Sequence, residues 1–307
     1  MITINGTTWV AEPIADGMER LWRVDEVIHS EITPFQTLDF ARTAHGITLF
    51  ANGERQSSEQ TQQVYHEALT IPPVLLADRV DRCLVIGSSE GVACQMLVAC
   101  GATRVDHVDI DEQAVKLCAS RLPYGYTEKE LAAAEGDEGP IHVHYEDGYA
   151  FVEAAVAAGQ TWDVVIVDLP DETDGGTAQH DRLYSPTFLT LCARALAPGG
   201  VIATQAGCPT MWRQTTLRRS WHNFIAAFPT VVYFGSAAHE WAFISGRRDT
   251  VDRPHAVMGN RLRTLSYRPA SIDVRTLDAA LVPPLEIRGK YPKAWRRRPF
   301  GGPSPRS

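Results

Sequence analysis

Short apolar runs recur between residues 83 and 245, and most are followed by a stretch with helical spacing. The clearest is Val164-Val165-Ile166-Val167, entered through Trp162-Asp163 and stopped by Pro170, whose ring cannot continue a strand ladder. Similar runs at 83–87, 105–110 and 141–145 precede helical patterns at 92–100, 112–121 and 149–158. A helix at 185–196 leads to the run at 201–205, and a helix at 211–228 leads to closing strands at 231–234 and 240–245. The stretch 123–139 reads as a polar insert. Strands alternating with helices at this interval predict an α/β fold on a doubly wound, mainly parallel sheet. Residues 1–72 have another rhythm. Short β-rich pieces at 7–10, 36–40 and 46–50 alternate with turn signals such as Asn5-Gly6 and Asn52-Gly53, predicting a small N-terminal antiparallel β domain that ends near Pro72-Pro73. The expected division is 1–72 for the β domain, 73–287 for the catalytic α/β domain and 288–307 for a basic, flexible tail.

The 307 residues are 44% hydrophobic and 21% charged, ordinary proportions for a chain with a sizeable core. No apolar run has the length of a membrane span, and the N-terminus lacks a basic stretch followed by an apolar one, so neither membrane nor secretion is expected. Six cysteines without a C-x-x-C pair read as reduced thiols of a cytoplasmic protein. The net charge of −8 is uneven: seven basic residues and no acidic ones lie from Arg288 onward, leaving 22 basic against 37 acidic residues elsewhere. Such an acidic body makes nucleic acid an unexpected partner and suits a cationic small molecule.

In an open α/β sheet the ligand crevice lies beyond the carboxyl ends of the strands, and acids stand at those ends here. Asp168 ends one strand, and Asp171 follows in a D-x-x-D pattern. The loop Gly87-Ser88-Ser89-Glu90-Gly91 has serines where a dinucleotide fingerprint has glycines, yet small residues still admit a ligand to the helix N-terminus. Asp109 ends the second strand 22 residues after Gly87, where an acid accepts hydrogen bonds from ribose hydroxyls. Glu146-Asp147-Gly148 ends the third, where a carboxylate can take an adenine amino group. Three acids on successive strand ends repel phosphates, so they favour an S-adenosyl sulfonium over NAD, against a plainer reading as helix caps. His142 and His144 lack convergent partners and read as structural, so no metal is expected. Trp212, Trp221 and Trp241 read as core.

Several motifs in order carry a resemblance. They are Thr33-Pro34-Phe35-Gln36, Asn52-Gly53-Glu54-Arg55-Gln56, Tyr65-His66-Glu67, the loop from Val85 to Gly91, Asp109-Ile110-Asp111 and Glu146-Asp147-Gly148. Asp168-Leu169-Pro170-Asp171, with Leu183-Tyr184 downstream, and Gln205 complete the set. Over about residues 30–246 the chain resembles the polyamine aminopropyltransferases, the spermidine synthase family. The resemblance implies a class I S-adenosylmethionine-methyltransferase-like Rossmann fold, a homodimer, decarboxylated S-adenosylmethionine as co-substrate and an amine or polyamine acceptor. It implies that Gln36 and His66 contact the sulfonium-bearing nucleoside, that Glu90 binds the aminopropyl amine, that Asp109 holds the ribose and Asp147 the adenine. Gly87, Ile110 and Gly148 belong to the same donor site. Asp168 would accept the amine proton, Tyr65 would orient that amine, and Asp171 and Gln205 would bind its far end.

The chemistry suits these groups. A free alkylamine has a pKa of about 10, so it arrives protonated, and a carboxylate first attracts the cation and then takes its proton. An acid at position 90 repels the carboxylate of intact S-adenosylmethionine and favours the decarboxylated donor. Three departures remain: Thr61-Gln62 replaces the family's acidic pair, Ser236-Ala237-Ala238-His239 replaces a loop tyrosine, and Glu90 replaces an aspartate beside serines. They leave open another amine acceptor, or methyl transfer from intact S-adenosylmethionine to an amine-containing small molecule.

Overall fold

The computed structural model describes residues 1–170, 178–210, 214–235 and 240–288. Strands β1 (Ile2–Ile4), β2 (Thr7–Ala15) and β3 (Met18–Val24) form one antiparallel sheet, and β4 (Glu26–Ile32), β5 (Thr37–Thr43), β6 (Gly46–Ala51) and β7 (Glu54–Ser58) form a second. The Asn-Gly pairs at 5–6 and 52–53 take positive φ at hairpin turns, the conformation for which those residues are favoured. Helix α1 (Gln62–Leu76) carries the chain into the main sheet.

There follow β8 (Arg82–Gly87), α2 (Val92–Ala99), β9 (Arg104–Asp109), α3 (Glu112–Arg121), α4 (Glu128–Glu135), β10 (Ile141–Tyr145), α5 (Gly148–Ala157) and β11 (Trp162–Asp168). A 3₁₀ turn at Gln179–Tyr184 precedes α6 (Pro186–Ala195), β12 (Leu196–Gln205), α7 (Gln214–Ala227), β13 (Thr230–Phe234) and β14 (Phe243–Arg247). Helices α8 (Pro254–Leu262), α9 (Val274–Ala280) and α10 (Leu285–Arg288) end the described chain.

The main sheet has the order β10-β9-β8-β11-β12-β14-β13. Its first five strands are parallel, and β14 runs antiparallel to both neighbours. Both faces are covered: Val164 and Ile166 of β11 enter one apolar cluster, Val165 and Val167 the other. That is the period-2 geometry of a strand buried on both sides, and it explains an apolar run without alternation. The chain turns to opposite sides of β8 for β9 and for β11, so a crevice opens beyond Gly87 and Asp168, which are register partners.

Four elements differ from the sequence expectation. Pro72 and Pro73 do not end the β-rich part; they lie inside α1, whose residues 66–76 are all buried. Each proline forgoes a helical hydrogen bond, but apolar burial on every side outweighs that loss. The insert holds α4, started by a capping box in which Thr127 accepts from the Glu130 N–H and Glu130 accepts from the Thr127 N–H. Strand β12 begins at Leu196, and β14 begins at Phe243 rather than at 240. The three helices after β14 were not anticipated.

Candidate active site

The strand ends set the backbone of the site. Gly87 has φ of +80° and Ser88 of +62°, and the Ser88 N–H donates to the Asp168 carbonyl at 2.9 Å. A Cβ at Gly87 would overlap that carbonyl oxygen, so both the conformation and the close approach of β8 to β11 require glycine. Asp168 is thereby pinned beside the Gly87–Gly91 loop.

Helix α1 delivers two partners to it. The Tyr65 hydroxyl donates to Asp168 Oδ1 at 2.8 Å, with its ring packed edge-on to Trp241 and Phe243. His66 donates from Nδ1 to the Gln62 carbonyl at 2.7 Å, which leaves Nε2 facing two acids. It stands 3.4 Å from Glu90 Oε1 and 3.7 Å from Asp168 Oδ2. Burial opposes charge on this imidazole, but Glu90 and Asp168 outweigh it and raise its pKa. Glu90 is held below the usual carboxylate range because its pairing with His66 exceeds the burial penalty. Asp168 goes the other way: burial, with Glu90 adding repulsion against the attraction of His66, pushes it up. His66 is not a wall of the crevice. At 1% exposure it lies behind the two carboxylates.

A chamber of about 450 Å³ opens in front of these groups. Gln36, Tyr65, Gly87, Glu90, Asp109, Ile110, Asp147, Gly148 and Asp168 all line it, so the structure brings together nine of the residues singled out from the sequence. Asp109 accepts from Ser89 Oγ at 2.8 Å and from the Asp111 N–H at 2.9 Å. Burial nonetheless pushes its pKa up to about 6. Asp147 caps α5 by accepting from the Ala150 N–H at 2.9 Å and is paired with Arg182. A Cβ on Gly148 would come within 2.6 Å of Ile86 Cγ2, so glycine lets α5 start against β8. Gln36 donates to Asp111 Oδ2 at 2.9 Å, and Thr33 Oγ1 donates to the same oxygen at 2.7 Å. Asp111, given no role from the sequence, thus clamps the N-terminal part onto the carboxyl end of β9.

A smaller chamber of about 110 Å³ adjoins the first, sharing Tyr65, Leu169, Pro170, Glu54 and Gln56 with it. Gln205 lines this second chamber, as does Trp241, which also packs against the main apolar cluster. Its far side holds Glu12, Arg20, Arg55 and Glu240, a charged group that sequence reading missed. The signal available was an arginine inside the short β-hairpin Asn52-Gly53-Glu54-Arg55-Gln56. Asp171, Trp212 and residues 236–239 lie outside the described residues. His142 pairs with Asp137 and His144 with Asp106. Among the described residues no cluster of His, Cys, Asp and Glu has a metal-holding arrangement.

The family model for the spermine/spermidine synthase domain matches residues 62–238. The chain belongs to the spermine/spermidine synthase family. Among its relatives is a polyamine aminopropyltransferase of Pseudomonas syringae pv. tomato, 30% identical over 241 residues, covering 74% of this chain and 78% of that protein. Another, from Aeropyrum pernix, is 28% identical over 298 residues and covers 94% of this chain and 91% of its own. The fold agrees with that of a spermidine synthase crystallised with the transition-state analogue AdoDATO, at a TM-score of 0.77, 16% identity and coverage of 92% and 94%. The spermidine synthase of Thermotoga maritima gives a TM-score of 0.76 at 16% identity, covering 92% of this chain and 93% of its own. As a family member the chain is a transferase on a Rossmann-like scaffold. Gln36, Arg20, Arg55 and Glu240 fall outside the stretch matched by the family model.

Proposed function

We propose that this family member moves the aminopropyl group of decarboxylated S-adenosylmethionine to a small amine, with the donor in the larger chamber and the amine in the smaller. The observation that carries the reading is Asp168, a carboxylate on the wall of the larger chamber that is hydrogen-bonded by Tyr65, which lines both chambers. Glu54, Glu90, Asp109, Asp111, Asp147 and Asp168 line the larger chamber, and no lysine or arginine does among its described residues. That field suits a sulfonium carrying a primary ammonium. A donor carboxylate would face Glu90 without a basic partner, so methyl transfer from intact S-adenosylmethionine is the weaker alternative.

In this reading Asp109 holds the ribose and Asp147 the adenine, Gln36 and the walls at Gly87, Ile110 and Gly148 fix the nucleoside, and Glu90 takes the donor ammonium. Gln205 receives the far part of the amine, together with Asp171 by family resemblance. His66 acts behind the wall, holding Glu90 ionised. Asp168 takes the proton of the incoming ammonium, and its raised pKa strengthens it as a base. As the nitrogen attacks, a C–N bond forms and the C–S bond breaks, with the electron pair leaving on sulfur as a neutral thioether. Charge disappears from the sulfur in this step. The acceleration therefore comes chiefly from holding nitrogen, carbon and sulfur in line.

Mass spectrometry of products after incubation with each donor and a panel of amines tests the reading. A mass gain of one aminopropyl group on an amine is expected, and methyl transfer or preference for intact S-adenosylmethionine would overturn it. Family membership also carries a homodimer and a cytoplasmic location into the proposal; light scattering on the purified chain tests the first.

A further inference from the structure

The far wall of the amine chamber carries two cations, an odd provision for a pocket that receives a cation. Arg55 is 6% exposed, and its guanidinium carbon lies 4.5 Å from the Trp241 ring centre and 5.2 Å from that of Trp22. Its Nη2 donates to Glu240 Oε2 at 2.7 Å and its Nη1 to Thr61 Oγ1 at 3.4 Å. Its Nε–H has no acceptor among the described residues. Arg20 also binds Glu240, with Nη1 to Oε2 at 3.0 Å, and stands 3.5 Å from Glu12 Oε2. Glu12 in turn accepts from the Arg55 N–H at 3.2 Å and from Trp22 Nε1 at 2.7 Å. The two acids at this end are thus already engaged by local donors. A long chain threading past Tyr65 and Trp241 would bring a second ammonium up to a buried guanidinium, not to a waiting carboxylate.

We infer that Arg55 and Glu240 form the acceptor filter of this enzyme: the guanidinium repels a distal ammonium that reaches the far wall, the carboxylate offsets that repulsion, and the pair selects short amines over longer polyamines. The inference rests on the transferase reading above. Opposite charges at one wall give it a signature that a structural role lacks. Removing the arginine relaxes the filter, whereas removing the glutamate tightens it, because Arg55 and Arg20 then lose their shared counter-charge.

The test measures kcat/KM of the full chain at saturating decarboxylated S-adenosylmethionine, with a four-carbon diamine and a linear triamine as acceptors. The wild type is expected to favour the diamine. Arg55→Leu is expected to raise the triamine-to-diamine ratio by about tenfold, and Glu240→Gln to lower it, as like-charge juxtaposition at a binding surface discriminates strongly between partners. KM for the donor stays unchanged in both. Should Arg55→Leu fail to fold, Glu240→Gln carries the test, since that side chain is 41% exposed. A wild type that favours the triamine, a ratio that neither variant moves, or a shift of the same sign in both overturns the filter. A wild type that aminopropylates none of the amines instead overturns the transferase reading, and the two failures are distinguishable.

Discussion

Asp168 is the residue whose environment says most about its task. An exposed aspartate is a weak base, but burial and the nearness of Glu90 raise this one while Tyr65 keeps one of its oxygens oriented. Asp168→Asn preserves shape and removes the proposed proton acceptor, so kcat should fall about 10²–10⁴-fold, the usual range for general acid–base catalysis. Calorimetry should find donor affinity largely retained, and a variant turning over at the wild-type rate would refute the assignment. Asp109 offers a second test through stability. Its pKa of about 6 in the folded chain exceeds the unfolded value of about 3.9, so between those values the folded state binds the extra proton and loses stability as pH rises. Relative to Asp109→Asn, the wild type should lose about 2 kcal/mol of unfolding free energy between about pH 4 and about pH 7, read from denaturant titrations. At this scale the sequence showed which acids stand at strand ends, since strand length and loop signals place them. It did not show that His66 stands behind Glu90 and Asp168, because which way a helix turns its side chains depends on what the helix packs against.

Among the elements, the β8–β11 pair decides the site. Its two strands are far apart in sequence, yet both were legible because a strand buried on both faces needs an unbroken apolar run. The reason for Gly87 was only half legible: the loop marked it as a turn, but the Asp168 carbonyl pressed against its Cα belongs to another strand. Gly87→Ala combines left-handed strain with that overlap and should lower Tm by about 2–8 °C in a thermal melt, as strain of about 1–3 kcal/mol implies for a chain of this size. An unchanged Tm would mean that the strand ends relax freely. Helix α1 shows the opposite lesson. Local propensity reads Pro72-Pro73 as a stop, and only burial on all sides keeps the helix going to Leu76. Helix α4 was legible in principle, since Thr127-x-x-Glu130 is a capping box, but its short length and polar composition hid it.

At the scale of the whole molecule, the described C-terminal segment is fastened to the site-bearing helix at two points, by Arg261 on the Leu75 carbonyl and by one buried acid. Glu67 accepts from Tyr267 Oη at 2.9 Å, the Ala270 N–H at 2.8 Å, the Ser271 N–H at 2.7 Å and the Ser271 hydroxyl. Burial works against its charge, but these donors prevail and hold its pKa below the usual carboxylate range. Its contribution is therefore complete above the unfolded carboxylate value and fades as pH falls through the lower folded value. Glu67→Ala strands several donors and should cost about 3–4 kcal/mol of unfolding free energy, while Glu67→Gln, which keeps an acceptor oxygen, should cost less. Equal losses for the two variants would show that packing, not hydrogen bonding, makes the joint. The same scale explains the smaller chamber: Glu12 and Arg20 come from the first sheet, Arg55 from the second and Glu240 from the chain before β14. No local pattern brings those four together.

The sequence by itself determined the alternation of strands and helices, the acids at the strand ends and the glycines of the hairpins, because periodicity and backbone freedom are local properties. Tertiary structure alone decided that Tyr65 meets Asp168, that Asp111 holds Thr33 and Gln36, and that two arginines close the far end of the smaller chamber. Those pairings join segments dozens to hundreds of residues apart, and their energies come from burial and charge compensation that exist only once the sheets have packed.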